Sequence, residues 1–139
     1  MAEYFNPPAV WQPFGAFSMG VVHGAGHVVR LKGQVALDPA GNVVGAEDMP
    51  AQLGQTLENI RQTLAYVGGR MEDIVSLVQH TTDIEAFMAC GEIRQAYFSP
   101  PYPVTTTVEV NRLYDQNLMI EITATAEIPE DRFISPSTK

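Results

Sequence analysis

The sequence predicts an α+β domain in which two helices lie on one face of a mixed sheet of about six strands. Leu53, Leu57, Ile60, Leu64 and Val67 recur at steps of four, three, four and three, the spacing of one helical face. Segments of alternating or β-branched residues lie on both sides of that helix. The resulting order is β-β-(β)-α-β-α-β-β, and helices with a single apolar face pack most simply side by side on one sheet surface. A chain of 139 residues makes one domain, 1–139.

Residues 1–14 form a proline-rich arm, because Pro7, Pro8 and Pro13 resist regular structure while Trp11 and Phe14 can lie on a core. Residues 17–23 and 28–37 read as a hairpin turning through Gly24-Ala25-Gly26. A second turn at 38–42 leads to a short return strand, Val43-Val44. The main helix has good ends: Asp48 to cap it, Pro50 where no amide donor is needed, and Gly68-Gly69 to stop it. A strand over 74–83 follows. Asp83 then caps a second helix over 84–98, weakened by Gly91 and stopped by Pro100, Pro101 and Pro103. Strands over 105–113 and 117–127 turn through Tyr114-Asp115-Gln116, and residues 129–139 are expected to form a loose tail. The second sheet face is left uncovered. Val108, Val110, Leu118, Ile120, Ile122 and Ala124 sit amid Thr and Glu, so that face is expected to pack against other subunits.

Composition narrows the function. With 8 Lys+Arg against 16 Asp+Glu the net charge is −8, and only Arg30 and Lys32 form a close basic pair. Sequence-independent nucleic-acid binding needs clustered cations, so no nucleic-acid partner is expected. The longest unbroken apolar run is residues 86–90, far short of the ~20 residues of a membrane span. The N-terminus shows no basic stretch leading into an apolar one, which predicts a cytoplasmic protein without a membrane anchor. One cysteine, Cys90, and three scattered histidines offer neither a disulfide nor metal-ligand spacing, so no metal is expected. Cys90, inside an apolar stretch, reads as a buried small hydrophobe. His23 and His27 flank a glycine turn, which leaves mid-strand His80 as the histidine of interest.

Several stretches carry a resemblance. Gly33-Gln34-Val35-Ala36-Leu37-Asp38, Gln55-Thr56-Leu57-Glu58-Asn59-Ile60, Gly68-Gly69 and Asp73-Ile74-Val75 occur in that order. Pro103 to Leu113 and Ile120-Glu121-Ile122 close the chain. From about residue 15 to 126 the sequence resembles the Rid family, the reactive-intermediate or imine deaminases also called YjgF. The resemblance implies a chorismate-mutase-like fold and a homotrimer whose sheets form a central β-barrel, with a small-molecule pocket at each subunit interface. It implies hydrolysis of short-lived enamines and imines to carbonyl compounds and ammonia without a cofactor. In that scheme an arginine grips the substrate carboxylate, while a backbone carbonyl and a glutamate hold the attacking water.

The departures from the family pattern bear on the substrate. Glu121 matches the glutamate and Thr107 the carbonyl position, but Thr105 stands where the arginine is expected. Phe17 replaces a pocket tyrosine, Lys32 a small hydroxyl residue and Gly91 an asparagine. Lys32, or Arg94 one turn beyond Gly91, offers a substitute cation. Each residue also has a plainer role: Glu121 as a paired strand carboxylate, Lys32 as a solvated lysine, and Thr105 and Thr107 as strand formers on one face with Glu109. Three functions follow from this reading. The first is an imine or enamine hydrolase of non-standard substrate, and the second a non-catalytic trimer binding a metabolite or a partner. The third, an endoribonuclease, is disfavoured by the charge.

Overall fold

The structure, a computed structural model, describes residues 1–138 and is an α+β fold with a mixed sheet and three helices. Its elements are β1 (Glu3–Phe5), β2 (Gly20–Val22), β3 (His27–Arg30), α1 (Met49–Ala65), β4 (Ile74–Thr81), α2 (Ile84–Met88), α3 (Gly91–Tyr97), β5 (Val104–Glu109) and β6 (Ile120–Ile128). Six strands are present, but not in one sheet. β1 pairs with β2, and a separate four-stranded sheet runs β3-β6-β4-β5. The hairpin opens because its turn bonds elsewhere: the Gly24 and Gly26 amides donate to the Glu127 carboxylate at 2.7 and 3.4 Å. β3 and β4 both run antiparallel to the interior strand β6, and β5 runs parallel to β4.

α1 forms as its pattern predicts. Asp48 accepts the Ala51 amide at 3.0 Å, Pro50 lies in the first turn, and Leu53, Leu57, Ile60 and Leu64 are fully buried. Each buried leucine or isoleucine contributes about 1.5–3 kcal/mol. They pack with Ile120, Ile122, Ala124 and Ala126, the core side of β6. Gln52 is buried among them with its amide satisfied, donating to the Gly45 and Asn117 carbonyls and accepting the Met119 amide. The turn that follows the helix passes through Gly68, where φ is +84° and a Cβ would lie 1.9 Å from the Arg132 carbonyl oxygen, so only glycine fits.

Three further expectations change. The strand expected over 28–37 is regular only to Arg30; beyond it Leu31 and Gln34 still bond β6 singly, while the carbonyls of Val35 and Leu37 accept the Asn59 amide of α1. The second helix breaks at Ala89-Cys90 into α2 and α3, with Gly91 starting the new helix. The third concerns the tail. Arg132 pairs with Asp73 and donates to the Gly68 carbonyl, the Ile134 amide bonds Val67, and the Phe133 ring stacks on His27 at 3.9 Å. The chain end is therefore fastened at least through Ile134, whereas Lys139 lies outside the described residues.

The uncovered face also differs in content. Ile120, Ile122, Ala124 and Leu118 are buried in core clusters, not on the open side. Strand alternation and register give that side Val28 and Arg30 of β3, Glu121, Thr123 and Thr125 of β6, Ser76, Val78 and His80 of β4, and Thr106 and Val108 of β5. No helix among the described residues is long and apolar enough to cross a membrane.

The Asp73 carboxylate is buried, and among the described residues it accepts, besides Arg132, only the Arg70 amide. Arg132→Ala is expected to lower stability by about 3 kcal/mol, since it strands a buried charge. Urea unfolding of the two proteins measures it.

Candidate functional site

Glu121 and His80 are directly opposed across the β4–β6 ladder on the open face, which places their Cβ atoms about 5 Å apart. They line a cleft of about 420 Å³ with Lys32, Val110, Arg112, Leu113 and Tyr114. A second cleft shares Lys32 and Tyr114 and runs on over Gly33, Gln34, Val35, Leu37 and Asn59. Lys32 thus stands where the two clefts meet.

The loop that carries Lys32 is fixed from both sides. Gln34 exchanges both backbone bonds with Ile122 at 2.8 and 3.0 Å, which holds the loop against β6 one residue from Glu121. Asn59 grips the Val35 and Leu37 carbonyls at 3.0 and 2.9 Å and is itself oriented by Gln55 at 2.8 Å. Between these anchors Gly33 lies against Glu121. A Cβ there would sit 2.8 Å from Oε2 and 2.9 Å from Cδ, so the missing side chain is what lets the carboxylate rest on the loop backbone. Among the described residues no hydrogen bond or ion pair is made by the carboxylate of Glu121 or the ammonium of Lys32. A free carboxylate beside cationic groups in an open cleft is equipped to exchange protons with a small polar ligand and hold its charge.

The other expected site residues lie elsewhere in the chain. Thr105 and Thr107 share a face with Glu109, as their alternation predicts, but it is the helix side, opposite Glu121. There the Thr107 hydroxyl accepts the Gln79 amide at 2.8 Å, and Glu109 accepts the Ile84 amide at the start of α2. Phe17 joins Trp11 and Phe14 in a ring cluster with centroids 5.3–6.0 Å apart, beside a different cleft lined by Gln12, Ser18 and Tyr102. Gly91 is exposed with open space around it. Arg94 folds back over the Phe87 ring at 5.4 Å, with its Nε buried and unpartnered, and burial lowers its pKa. It does not line the Glu121 cleft. Cys90 is buried, its thiol donates to the Ala86 carbonyl, and burial pushes its pKa up, all of which keep it unreactive.

Arg112 and Tyr114 were not foreseen at the site. They lie in the β5–β6 connection, where a Tyr-Asp-Gln stretch reads only as a turn, and no sequence spacing relates them to Lys32.

Comparison with known proteins identifies the framework. The family model for Endoribonuclease L-PSP matches residues 9–128, nearly the whole chain. The chain belongs to the Rid (YjgF) family. A RutC family protein of Saccharolobus solfataricus is 34% identical over 116 residues, covering 84% of this chain and 90% of that one. The 2-iminobutanoate/2-iminopropanoate deaminase of Salmonella typhimurium is 33% identical over 124 residues, covering 87% and 91%. Among solved structures, a Rid family protein of unknown function from Yersinia pestis superposes with a TM-score of 0.82 at 30% identity, covering 91% of this chain and 98% of that one. The α+β fold described above is thus the Rid fold, with Glu121 and the Lys32 loop inside the matched region.

Gly33→Ala is expected to displace the Glu121 carboxylate visibly in a crystal structure. Because that carboxylate is the end of a flexible side chain, Tm should move by no more than about 4 °C, roughly 1 kcal/mol.

Proposed function

We propose that this protein is a cofactor-independent hydrolase of a small imine or enamine, releasing ammonia and a carbonyl compound. The observation that carries the reading is the unpaired Glu121 carboxylate resting on Gly33 in a cleft flanked by Lys32, in a chain of the Rid family. A relative that is 33% identical over 124 residues bears a deaminase name, which supports the reaction class. Glu121 takes a proton from the attacking water. Lys32, with Arg112 across the cleft, holds an acidic group of the substrate, the task that the neutral Thr105 cannot perform.

The pocket is completed between copies. Thr105 and Thr107 of one chain face away from that chain's Glu121 with β4 between them, so a site that uses both sets of residues needs a second subunit. A homotrimer closing a central barrel through the open sheet face, with its substrate pockets at the interfaces and in the cytoplasm, meets that need and covers Val28 and Val108. Native mass spectrometry should give three copies of the 15.2 kDa chain; a monomer would remove the shared site.

The net charge of −8 gives an RNA substrate no support. The uncharged Thr105 favours one other reading, a trimer that binds a metabolite without turning it over. Ammonia release from enzymatically generated imines, with and without a carboxylate, separates the two. Glu121→Gln is expected to lose at least about 100-fold in kcat. Lys32→Met should raise KM about tenfold for acidic substrates alone. Silence from the wild type, with activity appearing in Thr105→Arg, would establish the binding protein instead.

A further inference from the structure

We infer that His80 is a second proton-transferring catalytic residue of the Glu121 cleft, a role that rests on the hydrolase reading. Its place is set by the ladder: His80 pairs with Glu121 across β4 and β6, so both side chains leave the same sheet face and line the same cleft. The imidazole Nδ1 is buried and, among the described residues, has no hydrogen-bond partner, while the residue lines the cleft. Strand packing alone gives no reason for this residue. The position lies mid-strand beside Val108 of β5, where a β-branched or aromatic side chain would leave no polar atom unsatisfied. A half-buried imidazole whose buried Nδ1 is kept without a partner marks a site held for function rather than for stability.

The other groups facing the ring do not compete for the role. Lys32 and Arg112 are cations suited to holding charge, and Tyr114 offers a hydroxyl suited to hydrogen bonding. Imidazole exchanges protons readily near neutrality. Hydrolysis of a C=N bond takes a proton from water and delivers one to nitrogen, a task that two such groups can divide. In the first step the water oxygen bonds to the imine carbon, Glu121 takes the water proton, and imidazolium His80 gives its proton to the nitrogen, leaving a carbinolamine. In the second, protonated Glu121 returns its proton to the amine nitrogen and the C–N bond breaks. Ammonia departs, and the hydroxyl proton passes to His80 as the C=O bond forms. Water and imine become carbonyl compound and ammonia, and both side chains end as they began.

The test is steady-state ammonia release by purified full-length protein on the imine that the wild type turns over best. His80→Gln is expected to lower kcat at least about 30-fold with KM within threefold. His80→Phe, which keeps the ring volume should the glutamine variant fold poorly, is expected to show the same loss. His80→Ala should regain at least about tenfold with added imidazole, a rescue that a packing role would not give. Wild-type kcat in His80→Gln or His80→Phe, alongside a dead Glu121→Gln, would overturn the role of His80 and leave the hydrolase reading intact. No turnover by the wild type on any imine would overturn both.

Discussion

The parity of β6 governs this molecule. It is an interior strand of the four-stranded sheet, between β3 and β4, and its residues divide by position. Ile120, Ile122, Ala124 and Ala126 face the helices and form the core with the α1 stripe, while Glu121, Thr123 and Thr125 face the other way. A slip of one residue would drive Glu121 into the apolar layer and turn isoleucines outward. Two unrelated contacts hold that register at its ends. Gln52 reaches from α1 to the backbone of Asn117 and Met119 ahead of the strand, and Glu127 near its end ties the turn before β3. Stability and site are therefore set by one alternation.

The candidate site follows from that frame. The open face brings a carboxylate and an imidazole together across two strands, and the loop paired to Ile122 adds a lysine one residue before the glycine that the carboxylate touches. Cation placement differs from the family pattern at two points, with charge absent at Thr105 and present at Lys32. These positions lie on different sides of the sheet in one chain, so the proposed change of clamp also changes the direction from which a substrate acid group is held. Arg94, the other substitute cation, is taken up by the Phe87 ring.

Much of the fold was legible because local signals and tertiary packing agree. Asp48, Pro50 and the Leu53–Leu57–Ile60–Leu64 stripe bound and orient α1 as read, and Asp83 caps α2 with its carboxylate on the Ala86 amide. The misreadings have a common origin in long-range bonds. The strand beyond Arg30 looked continuous, but its carbonyls go to Asn59, and the loose tail is clasped by Asp73, 59 residues away. The open face was foreseen, but Leu118, Ile120, Ile122 and Ala124 of the core were assigned to it, because alternation reveals two faces without saying which one the helices cover.

By itself the sequence determined the α+β class, the helix that carries the core and, through its motifs, the family, and it singled out Glu121 as a candidate. These are properties of short windows, where period, caps and residue identity suffice. Only the tertiary structure decided that Lys32, His80, Arg112 and Tyr114 surround that glutamate while Thr105 and Thr107 face away from it. Strand order and register are set by hydrogen bonds between segments far apart in the chain, and no local pattern encodes which residue of one strand stands opposite which residue of another.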